Sequence, residues 1–123
     1  MKIAATISRF LLGLIFLVFG LNVYLRFIQM PPPTGEAAAF TRALFNSGYL
    51  HVVADFEIVG GILLLIRRFV PLGLTLVGPV IVNIMLFHIF MAPSGLPLAI
   101  LVSILALIVL VYHRQNFAGL VKA

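Results

Sequence analysis

An apolar run of about 20 residues can cross the hydrocarbon core of a bilayer as a helix, and runs of about that length fill most of this chain. They extend from about Ile7 to Ile28, Tyr49 to Ile66, Val70 to Met91 and Leu96 to Tyr112. Within 123 residues they leave no room for a separate soluble domain. Composition agrees: 63% of the residues are hydrophobic and 9% charged, against about half and about a quarter in ordinary soluble domains. The expected fold class is all-α, an integral membrane four-helix bundle. Short connections make successive helices antiparallel neighbours.

Prolines and glycines punctuate these runs. Pro31, Pro32 and Pro33 stop the first helix, because proline lacks a donor and restricts the residue before it. Thr34, Glu36 and the alanines that follow suggest a short surface helix leading into the second span. Pro71 sits where a missing amide is tolerated. Pro79, after Gly78, predicts a kink in the third span. Pro93, Gly95 and Pro97 make the last turn. Lys2 and Arg9 give the first run a basic start, but its apolar pattern outlasts a signal peptide and no small-residue cleavage site follows it, so it reads as a retained span.

The net charge is +5, yet the basic residues lie scattered near the ends of the runs. They read as topology signals and not as a nucleic-acid surface. Lys2, Arg9, Arg67, Arg68, Arg114 and Lys122 fall on one side, Arg26 and Arg42 on the other. That asymmetry places both termini in the cytoplasm of a cell with a plasma (inner) membrane. The chain has no cysteine, which removes disulfides and thiolate metal sites.

Two of the three acidic residues, Asp55 and Glu57, lie inside LHVVADFEIVGG, at the start of the second span. Counted by helical rise, Asn22 and Arg26, then His51, Asp55 and Glu57, then Asn83 and His88 all fall in the outer half of the bundle. The inner half is apolar with a basic rim. His51 and Asp55 share a helix face. Glu57 points about 160° away from Asp55, toward Gly60 and Gly61, which permit close helix approach. Charge in lipid is expensive, and intramembrane ionisable groups are function candidates. Asn22, His51, Asp55, Glu57, Asn83 and His88 are therefore the candidate ligand-binding residues. Plainer roles stay open: a structural hydrogen bond for Glu57, an interfacial pair for Asp55 and His51, a capping or belt position for His88, helix glue for the asparagines, snorkelling for Arg26. No HExxH or closed Cys/His spacing is present, so no metal site is assigned.

RFLLGLIFLVFGLN at 9–22, SGYL at 47–50, FEIVGGILLL at 56–65, RFVPLGL at 68–74, VNIMLFH at 82–88 and APSGLP at 92–97 together resemble the DoxX-like family of small four-span membrane proteins. The resemblance covers nearly the whole chain. It implies a four-helix bundle and assigns the family's recurring polar positions to Asn22, Glu57, Asn83 and His88. It also implies a redox association, since the family takes its name from a component associated with an archaeal quinol oxidase and thiosulfate–quinone oxidoreductase.

The resulting expectation is a redox-associated membrane protein that holds a quinone, or a similar amphipathic molecule, in a polar pocket in the outer half of the bundle. Its alternative is a non-catalytic accessory subunit of a larger respiratory or photosynthetic membrane complex. A small carrier ranks behind both. The expected partners are the lipid bilayer and either a larger membrane complex or further copies of the chain.

Overall fold

The computed structural model describes residues 1–29 and 31–121. Lys122, one of the six basic residues assigned to the cytoplasmic side, lies outside the described residues. The helices of the described residues run in the order α1 (Lys2–Leu25), α2 (Gly35–Ser47), α3 (Tyr49–Leu65), α4 (Val70–Phe90) and α5 (Leu96–Tyr112). A short 3-10 turn, Pro93–Gly95, precedes α5, and a 3-10 segment, Arg114–Val121, follows it.

Among the described residues three segments are long and apolar enough to cross a membrane: Lys2–Leu25, Val70–Phe90 and Pro93–Tyr112. A fourth arises if α2 and α3 form one span bent by 84°. The bend falls at Gly48, whose φ of 85° is the left-handed conformation that glycine adopts without strain. On its own α3 has 17 residues, roughly 26 Å of helix.

The first helix begins at Lys2 rather than Ile7 and ends at Leu25 rather than Ile28. Hydropathy marks only its apolar part. Its end is set by Asn22. The Arg26 amide donates to the Asn22 carbonyl at 2.9 Å, with Arg26 in the left-handed region at φ 52°. The Asn22 side chain then accepts from the Ile28 amide at 2.7 Å and donates to the Ile28 carbonyl at 3.2 Å. Helix α4 runs through Pro79 as one element, so the proline does not break it.

Helix α1 packs against α3 and α5, and α4 packs against the same two, so the four long helices close a ring. Leu12, Phe16, Leu64, Val77 and Val109 are its most buried core side chains. The outer faces are apolar too: Leu72, Val82, Leu101 and Leu107 are about half exposed. Helices apolar on every side suit a bilayer or the interior of a larger protein.

Glycines bring the backbones into contact. A Cβ on Gly61 would lie 2.8 Å from both the Gly13 carbonyl oxygen and the Leu17 amide nitrogen. One on Gly73 would lie 3.1 Å from the Gly60 carbonyl oxygen. These seams join α1 to α3 and α3 to α4, the close approach that small residues allow. At the far end of the first seam, the Arg9 guanidinium donates to the carbonyls of Leu64 and Leu65. It thereby satisfies acceptors that the end of α3 leaves open.

Candidate functional site

Glu57 sits on the face of α3 that meets α1, one turn before Gly61, and is only 9% exposed. Gly20 makes room for it, since a Cβ there would come within 3.1 Å of the Glu57 Cβ. From this seam Glu57 reaches a cavity of about 250 Å³. Every long helix contributes to the wall: Phe16 and Phe19 from α1, Glu57 from α3, Ile84 and His88 from α4, and Ala99 and Val102 from α5. Among the described residues, Glu57 and His88 are the only polar side chains in the lining.

The two are held differently. The His88 Nδ1 lies 2.8 Å from the Ile84 carbonyl oxygen. A carbonyl only accepts, so Nδ1 carries the proton, and Nε2 of the neutral ring is the acceptor. The Cδ2–Nε2 edge lies against Gly95, where a Cβ would collide with the ring. Phe87 packs edge-on at 5.2 Å between centroids. His88 is thus fixed by its own helix on one side and by the turn before α5 on the other. The Glu57 carboxyl has no hydrogen-bond partner among the described residues. No buried side-chain oxygen there is both sealed off and unpaired. Its oxygens therefore stay accessible, and the residue lines the cavity. Glu57 supplies a group that accepts when ionised and donates when protonated, beside an imidazole fixed in one tautomer and among apolar walls.

The single pocket expected from depth divides into two places. His51 and Asp55 lie on the α1/α3 seam and not in the cavity. There the Tyr24 hydroxyl donates to Asp55 Oδ1 at 2.5 Å and approaches the His51 carbonyl at 3.3 Å. The Tyr24 and His51 rings meet edge-on at 5.2 Å, and Phe45 of α2 lies 5.7 Å from His51. Asn22 is engaged in ending α1 and does not line the cavity. Asn83 is exposed and donates to the Pro79 carbonyl on its own helix at 2.8 Å, so it joins neither group. Depth alone pooled these residues. Each helix turns its polar groups through a different angle, and only Glu57 and His88 turn to the same space. Among the described residues no three histidine or acidic side chains come close enough to hold a metal ion.

Tyr24 was missed by the sequence reading. A signal for it existed: it lies four residues after Gly20, on the face that the glycines Gly13 and Gly20 mark as the contact with a neighbouring helix.

Among known proteins, the uncharacterized protein YwoB of Bacillus subtilis (strain 168) is 34% identical over 122 residues, covering 93% of this chain and 79% of that protein. No family model and no solved structure matches the chain.

Proposed function

The chain belongs to the same family as YwoB, and for it we propose a small DoxX-like integral membrane protein that binds the headgroup of a quinone or similar amphipathic molecule between Glu57 and His88. One observation carries the proposal: among the described residues, a buried carboxyl with no hydrogen-bond partner lines a cavity whose only other polar side chain is an oriented histidine. A structural glutamate would be expected to have found a donor on a neighbouring helix, since an unmatched polar group in such surroundings is costly.

The cavity fits the reading by size and chemistry. At about 250 Å³ it is smaller than the pockets that enclose whole drug-sized ligands, but it suits one substituted ring. Phe16, Phe19 and Ile84 line the cavity and would lie against such a ring. With Nδ1 occupied, Nε2 is the acceptor His88 has left, and it would take a hydrogen bond from a hydroxyl. Glu57 accepts when ionised and donates to a carbonyl when protonated, so it can hold or release a proton at the cavity wall. A bound quinone would supply paired electron and proton chemistry that no side chain here provides. An isoprenoid tail would leave between the outer apolar faces of the helices.

Purification from native membranes in mild detergent tests this. A lipid-soluble ring compound, extractable with solvent in near-stoichiometric amount, is the expected result. Protein that carries no such compound, and instead co-purifies with large subunits, would replace the binder with the accessory subunit.

A further inference from the structure

The polar cluster left outside the cavity has the makings of a second site. We propose that the α1/α3 seam around Asp55 and Arg26 binds the headgroup of phosphatidylethanolamine, its primary ammonium on Asp55 and its phosphate on Arg26. This rests on the membrane reading above and is independent of the quinone.

Asp55 lies on an exposed strip of α3 that is otherwise apolar. Val52 is 57% exposed, Phe56 46% and Val59 49%. A carboxylate on a strip facing lipid needs a cation, since charge without a partner is strongly disfavoured there. The chain supplies half of its requirement. Tyr24 donates to Oδ1 at 2.5 Å, and exposed Asp55 has no hydrogen bond to Oδ2 among the described residues. No basic side chain forms an ion pair with Asp55 among the described residues. A metal ion is a poor match, because no three ligating side chains gather there. A primary ammonium is a good one: it brings three donors for the second carboxylate oxygen and its surroundings, next to the Tyr24 and His51 rings that meet edge-on.

Arg26 supplies the opposite charge. Its backbone turns left-handed just beyond α1, and its guanidinium lies over the Phe45 ring at 5.2 Å. The same Phe45 ring packs on His51, next to Tyr24 and Asp55. The seam thus carries one anion and one cation around a shared set of rings, neither paired with the other. A zwitterionic headgroup with a donor-bearing ammonium and a phosphate complements both, and guanidinium with phosphate is a strong pairing. Choline headgroups lack the N–H donors. Glycerol headgroups lack the cation.

Delipidated protein in neutral detergent is the starting material. Phosphatidylethanolamine, phosphatidylcholine and phosphatidylglycerol are added back, and retention is read by native mass spectrometry beside melting temperature. Phosphatidylethanolamine is expected to be retained about fivefold over phosphatidylcholine, the scale of one partly exposed ion pair. Asp55→Asn should abolish that preference, and Arg26→Gln should weaken all three lipids together. Equal retention of the ethanolamine and choline lipids by the unaltered protein would overturn the proposal, whatever the variants do. So would a preference that survives Asp55→Asn, or equal stabilisation by soluble glycerophosphoethanolamine. Protein that remains soluble without detergent and keeps no phospholipid would instead overturn the membrane reading itself.

Discussion

Alanine at Gly61 tests whether the α1/α3 seam is held backbone to backbone. The new methyl carbon would stand 2.8 Å from the Gly13 oxygen and 2.8 Å from the Leu17 nitrogen. Both are about 0.6 Å inside the 3.4 Å where ordinary contact begins. Neither atom belongs to a side chain that can rotate away, so the helices must part. Overpacking of this kind costs about 1–3 kcal/mol, which is several degrees of melting temperature in a chain this size. Gly78→Ala is the control. A Cβ there meets nothing within 4 Å. Its gain in helix propensity is offset by crowding against the ring of Pro79, so the change should stay within about 1 kcal/mol of the unaltered protein. Thermal unfolding in one detergent compares the two. Gly13→Ala with Gly61→Ala should cost less than the two separately, because a seam opened by one methyl already has room for the other. A Gly61→Ala protein as stable as Gly78→Ala, or strictly additive effects, would refute backbone contact as the basis of the seam.

Gly95→Ala should displace the His88 ring, because the added methyl would occupy its place; bound ligand should fall more than melting temperature when both are read on one sample. Asn22→Ala removes both side-chain hydrogen bonds to Ile28 and should cost about 1–2 kcal/mol. Hydrogen exchange should rise at residues 26–28 while ligand retention holds, because Asn22 does not line the cavity. Cysteine placed at Arg67 in this cysteine-free chain should resist impermeant reagents in sealed, correctly oriented cells. External labelling there would reverse the topology.

The sequence was a good guide to elements and a partial one to the site. Four apolar runs fixed the long helices, and Gly13, Gly20, Gly60 and Gly61 marked the seams, because close approach needs small residues at helical spacing. The angle between Asp55 and Glu57 correctly separated them, as a two-residue step on a helix must. Asn22, Asn83 and His88 were harder. Their depths follow from counting residues, but the direction each faces depends on how every helix is rotated against its neighbours, and one chain contains no direct record of that. Asn22 also looked like part of a span because its role, ending α1, shows only in bonds to a residue six positions on.

The central claim is that Glu57 and His88 hold a ligand and do not merely hold helices together. Glu57→Gln and His88→Ala decide it when bound quinone and melting temperature are measured on the same purified samples. Glutamine keeps the volume of glutamate and removes its ability to ionise. If the account is right, bound quinone falls about tenfold or more in each variant, the loss of one or two good hydrogen bonds, while melting temperature shifts by only a few degrees. If both variants lose stability first and quinone only in proportion to unfolded protein, the pair is structural and the account is contradicted.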